Sequence, residues 1–124
     1  MNKIIQAGAL FGVLAVGIGA FGAHGLAEIL EVHGRTDTFE TGVKYHFYHA
    51  IALVLTGLIG HHPYSKKWLK WSSLGFISGI LIFSGSLYTL SLTGVTWLGA
   101  ITPLGGIAFI LGWIFLAIAV SSKK

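Results

Sequence analysis

Between Lys70 and Lys123 this chain runs for 52 residues without a charged side chain. Two further uncharged stretches, 4–27 and 45–65, hold 24 and 21 residues. A helix needs about 20 predominantly apolar residues to cross the hydrocarbon core of a bilayer. Each shorter stretch therefore matches one crossing. The long one matches two, joined by a turn at Thr93-Gly94-Val95-Thr96. Four crossings use most of the 124 residues and leave no room for a soluble domain. The expected fold is all-α: a polytopic membrane protein, a four-transmembrane-helix bundle forming one domain over 1–124. Its spans fall at about 2–24, 40–60, 68–92 and 97–120, with a short amphipathic segment on the outer side. With no cysteine, disulfides and thiolate metal sites are excluded.

The first stretch, Ile4 to Ala23, sets small residues at Gly8, Gly12, Ala15, Gly19 and Gly22, in steps of 4, 3, 4 and 3. That average of 3.5 keeps one stripe of a helix against a neighbour. In water each glycine would cost roughly 1 kcal/mol against alanine. In lipid the backbone must stay internally hydrogen-bonded, so the span remains helical, and glycine lets a second helix approach. The stripe marks this segment as the expected central helix. Lys3, the apolar run and Ala20-Phe21-Gly22 also loosely fit a cleaved signal peptide, but the run is too long and too glycine-rich for one.

Four crossings would place Lys3, Lys66, Lys67, Lys70, Lys123 and Lys124 on one side, with no acid. The other side receives Glu28, Glu31, Arg35, Asp37, Glu40 and Lys44. Basic residues in short loops mark the cytoplasmic face, so both termini are expected there, in the plasma membrane. The net charge of +4 is on this reading a topology signal, not a nucleic-acid patch.

Within the loops and spans, Leu26, Ile29 and Leu30 against Glu28 and Glu31 predict a short amphipathic helix in the outer interface. Gly34 would end it. Asp37 with Glu40 resembles a capping box opening the second span. Pro63 stops that span, and Trp68 and Trp71 take interfacial positions. The third span carries a small and polar seam through Ser72, Gly75, Gly79, Ile82, Ser86 and Thr89. The fourth has a stripe through Gly105, Ala108, Gly112, Phe115 and Ala119. Pro103 either kinks the fourth helix or begins it. The kink is favoured, because Trp97 to Ile101 is too apolar to leave in water. The expected packing glycines are Gly8, Gly12, Gly19, Gly22, Gly75, Gly79, Gly105 and Gly112.

Polar side chains converge in the outer half: His24, Tyr45, His46, Tyr48, His49, Ser84, Ser86, Tyr88, Thr89, Ser91 and Thr102. An ionisable group inside a membrane is a functional hypothesis by default. Three readings stand for the two span histidines. They bond neighbouring helices structurally, they belong to a small-solute or ligand site around His24, Tyr45, His49, Tyr88 and Thr102, or they bind metal with His24, His46 and His49 as weak candidates. His33, His61 and His62 read as loop residues. No Ser-His-acid set, nucleotide loop or H-E-x-x-H pattern occurs, so no catalytic residue and no cofactor is assigned.

Four motifs, GAFGAHGL (19–26), TGVKYHFYHAIAL (41–53), FSGSLYTLSLTG (83–94) and LGAITPLGGIAFILGW (98–113), resemble those of the small YwdK/YgdD-like bacterial membrane proteins, a family of uncharacterised function. Tyr45, Tyr48 and His49 match its Tyr-x-x-Tyr-His pattern, and His46 lies outside it. The resemblance implies a four-span plasma-membrane protein and supplies no activity, substrate or catalytic residue. The leading expectation is a non-enzymatic membrane protein in the lipid bilayer, acting by packing against itself (a homo-oligomer) or a membrane partner. A ligand-binding or transport role in the outer half is the alternative, and metal binding a second one.

Overall fold

The computed structural model describes residues 1–122. Six α-helices follow one another: α1 (Asn2–Ala23), α2 (Ala27–Val32), α3 (Thr36–Ile59), α4 (Lys66–Gly79), α5 (Gly85–Thr93) and α6 (Thr102–Ser121). A π-helical turn, Ile80–Ser84, joins α4 to α5, and a 3-10 segment, Thr96–Ala100, precedes α6. No strand occurs among the described residues. Three helical rods are long and apolar enough to cross a membrane: Asn2–Ala23, Lys66–Thr93 and Thr96–Ser121. Helix α3 has 24 residues, but Lys44, Tyr45, His46, Tyr48 and His49 make its first half polar.

The surface is apolar where a water-soluble protein's would be charged. Val13, Val16, Phe21, Leu104 and Ile110 are all at least 60% exposed. Contiguous apolar surface on this scale is covered by lipid rather than water.

The rods form two close pairs. Helix α1 runs antiparallel to α3, with Gly8 against Ala50 and Val54, Gly19 against Val43, and Gly22 under the ring of Phe39. Its buried residues are Gly8, Ala15 and Gly22, seven apart, as expected of a single seam of period 3.5. Helix α4 pairs with α6: Gly75 lies on the backbone of Gly112, Gly79 under Phe109, Gly105 on the backbone of Phe83, and Gly112 under Phe76. The pairs join through α3, which also touches α4, the π turn and α5. Ala52, Leu53, Phe76, Ile80 and Phe109 form the core at that junction.

The central helix is therefore α3, not the glycine-striped α1. A stripe of small residues serves one neighbour, whereas α3 carries groups that need partners on several sides. Other expectations change as well. Gly12 lies on the sequence stripe, yet a Cβ there would meet nothing within 4 Å. Asp37 does not cap α3; the helix begins at Thr36 with Arg35 in the cap position and no side-chain cap bond. Pro103 does not kink a longer helix. It stands in the first turn of α6, where its missing N–H costs nothing. The apolar 97–100 stretch is 3-10, with Trp97 65% exposed.

Ends are sealed locally. Gly34, at φ +62, follows α2 in a Schellman arrangement: Gly34 N–H donates to Glu31 O (3.0 Å) and Arg35 N–H to Leu30 O (2.9 Å). Gly94, at φ +72, ends α5 with its N–H on Leu90 O (2.8 Å). The Lys66 ammonium donates to the carbonyls of Gly60 and His62, placing a cation on the negative end of α3.

Gly75 and Gly12 separate these effects. A Cβ on Gly75 would come within 2.8 Å of Gly112 backbone, which cannot yield as a side chain can. Gly75→Ala should cost about 1–3 kcal/mol, while Gly12→Ala should be neutral or slightly stabilising. Denaturant unfolding of both variants in micelles checks the contrast.

Candidate functional site

The polar residues of α3 lie at two joints rather than in one pocket. His49 faces the α4–α6 pair. Its ring stacks on Phe109 at 3.6 Å between centroids, with Phe76 at 5.6 Å. Its Nδ1 is 2.6 Å from Tyr45 O, and Trp113 Nε1–H donates to its Nε2 at 3.1 Å. A carbonyl only accepts and an indole N–H only donates. His49 is therefore the neutral imidazole protonated at Nδ1, with both nitrogens engaged and no lone pair left for a metal.

His46 faces the other way, toward α1 and α5. Its Nδ1 shares a 2.8 Å hydrogen bond with the Tyr88 hydroxyl, and the Phe11 ring stands edge-on at 6.0 Å. With the phenol as donor, the imidazole proton stays on Nε2. That atom is buried and has no hydrogen-bond partner. The two histidines stand three positions apart on one helix. Their rings serve different neighbours and share no ligand position. Among the described residues no three His, Cys, Asp or Glu side chains form a metal-holding group.

The five residues singled out for a ligand site divide accordingly. Tyr45 and His49 come together, rings 6.1 Å apart, and the Tyr45 ring reaches Phe83 at 4.8 Å. Tyr88 pairs with His46 instead. Thr102 bonds Ser86, hydroxyl to hydroxyl at 2.7 Å. His24 is exposed beyond the end of α1 and joins none of them. None of the five lines the crevice between α1, α2 and α3. That crevice, about 180 Å³, is walled by Gly19, Gly22, Leu30 and Phe39 with Glu40 and Lys44 beside them.

Two hydrogen bonds between elements escaped the sequence reading. Ser84, in the π turn, donates to Gly42 O at 2.7 Å and is fully buried. His33 is more than a loop residue: its Nδ1–H donates to Ser91 O at 3.1 Å, tying the end of α2 to α5. A carbonyl partner leaves no trace in sequence spacing, so neither bond had a signal to read.

These features define a class: a helical membrane protein most of whose buried polar side chains are hydrogen-bonded within the protein, His46 Nε2 and Ser72 Oγ being the exceptions among the described residues. The comparisons narrow it. A family model described as a protein of unknown function, DUF423, matches residues 18–106, and the chain belongs to that family. It is 43% identical over 120 residues to the UPF0382 membrane protein YwdK of Bacillus subtilis, covering 96% of each chain. It is 46% identical over 120 residues to a UPF0382 membrane protein of Staphylococcus epidermidis, covering 96% of this chain and 95% of that one. A Haemophilus influenzae relative, again a UPF0382 membrane protein, is 40% identical over 116 residues, 94% of this chain and 91% of the other. No solved structure matches. The expected family resemblance is thus correct, and the relatives' names carry no activity.

Trp113→Phe removes the donor to His49 Nε2 while keeping an aromatic ring. Interhelical polar bonds in membrane proteins average about 0.6 kcal/mol and reach about 1.7. A loss within that range is expected in micelle unfolding. Nitrogen NMR of the His49 imidazole should show neutral, Nδ1-protonated signals that added zinc leaves unchanged.

Proposed function

We propose that this is a non-enzymatic plasma-membrane protein of four spans, both termini cytoplasmic, that acts by packing against itself or another membrane protein. The carrying observation is the closure of the interior. His49 has both nitrogens engaged, Tyr88 bonds His46, and Thr102 bonds Ser86. These groups hold helices together, and the crevice that Tyr88 borders is otherwise walled by Ile18, Phe21, Leu26, Phe39 and Leu92, which favours packing over the ligand-site reading.

The fourth span would be α3. At 24 residues and 1.5 Å per residue it is about 36 Å long, enough for the hydrocarbon core. Its buried polar side chains His46, His49 and Thr56 have hydrogen-bond partners within the protein, so its composition understates how well lipid tolerates it. Antiparallel pairing of α1 with α3 agrees with that crossing. The outward face of α1 supports association: Gly12 and Gly17 face open space, flanked by exposed Leu10, Val13 and Val16. Another helix could approach closely there.

The absence of cysteine makes single-cysteine probes clean. Cysteine at Asp37 or Gly94 should react with a membrane-impermeant maleimide on intact cells, and cysteine at Ser65 only after permeabilisation. Labelling of Ser65→Cys from outside would overturn the topology. Gly17→Cys in native membranes should give a crosslinked species larger than monomer. Monomer alone, with the labelling pattern intact, would remove the packing role and leave the spans standing.

A further inference from the structure

We propose that the groove between α4 and α6, at the end of the molecule that carries the 61–65 turn, binds an acyl chain of an anionic phospholipid whose phosphate is held by Lys67 and Lys70. The proposal is independent of self-association. It needs only the membrane setting.

The groove has a volume of about 300 Å³ and is walled by Trp71, Leu74, Gly75, Ser78, Leu111 and Phe115. It lies beside the crossing at which Gly75 meets the Gly112 backbone. Two helices this close, without side chains at the contact, leave a channel along their shared flank. Trp71 and Leu74 are about half exposed, so the channel opens to the surrounding lipid.

Charge identifies the occupant. Lys67 precedes Trp71 by four residues and Lys70 precedes Leu74 by four, so each ammonium stands one turn above a groove wall on the same helix face. Both lysines are exposed. Their stems lie along apolar surface while the heads reach the headgroup layer. The Lys67 ammonium is 5.3 Å from the Trp68 ring centroid, and Trp68 stacks on Phe115 at 5.4 Å, fixing that cation at the rim. Lys66 is already engaged by Gly60 and His62 carbonyls. No acid competes: all four lie between residues 28 and 40, at the opposite end of α3. The first turn of α4 also holds no acid and no side-chain cap, so its positive end adds to the field. An apolar slot under two unpaired cations suits a lipid with net negative charge. A zwitterionic lipid brings its own ammonium into the same place.

The test is native mass spectrometry of the full chain in micelles, with phosphatidylglycerol or phosphatidylcholine of identical acyl chains. The wild type should retain one phosphatidylglycerol in preference to phosphatidylcholine. A lysine near an anionic lipid is worth about 1 kcal/mol, so Lys67→Gln with Lys70→Gln should weaken that adduct by roughly thirtyfold. Lys3→Gln should leave it unchanged. Ser78→Trp, filling the slot, should lose the adduct of either lipid, with circular dichroism verifying the helices. Equal retention of both lipids by the wild type would overturn the proposal. So would an unchanged adduct in the double lysine variant, or a loss in Lys3→Gln equal to that in the double variant, which would mean diffuse attraction rather than a site.

Discussion

A polar side chain that loses water on burial has to find its partner within the protein, and α3 carries the bulkiest of these groups. The rest of the molecule is arranged around that demand. His46 draws in α1 and α5, and His49 draws in α4 and α6. Thr56 turns back on its own helix, donating to Ala52 O at 2.8 Å. A helix that buries polar groups on two sides needs neighbours on both. Helix α1 is free to sit at the edge, because its exposed residues are Leu, Val and Phe and its buried ones are small.

The second constraint is how closely the rods must approach for those bonds to form. Lipid is as apolar as leucine, so burying apolar side chains gives helices little reason to associate; dispersion at close range does. Gly8 and Gly22 bring α1 onto α3, and Gly75, Gly79, Gly105 and Gly112 bring α4 onto α6. The indole of Trp113 can reach His49 only with α6 in that position. Glycine contacts and polar joints thus reinforce each other: the first set the distances, the second choose which faces meet.

Charge spacing made the helical, membrane-embedded character legible, because every acid and base avoids three long stretches. Turn chemistry was legible where the backbone needs a left-handed residue, at Gly34 and Gly94. The centre of the fold was not. A stripe such as Gly8–Gly22 announces a neighbour but does not say how many neighbours there are. The polar residues that the sequence reading gathered into one region are divided between separate joints. Counting along α3 puts His46 and His49 on one seam, whereas 60° of helix between them is enough to aim their rings at different partners. Bonds to backbone carbonyls, as at Ser84 and His33, were invisible, because any residue supplies that acceptor.

The π turn at Ile80–Ser84 explains one further failure and something of the design. The seam read from sequence continues past Gly79 through Ile82, Ser86 and Thr89, but Thr89 is exposed. The buried residues are Ser72, Gly79 and Ser86 of that seam together with Leu69, Ser73, Phe76, Ile80, Ser84, Leu87, Leu90 and Ser91. A wider turn rotates everything beyond it. Before it, Gly75 and Gly79 face α6. After it, Ser84 reaches the Gly42 carbonyl and Tyr88 reaches His46, both on α3. One continuous rod can thus press glycines on one partner and offer hydroxyls to another. Such turns recur where a helix has to serve two surfaces, often functional ones. Here the second surface is the polar face of the central helix.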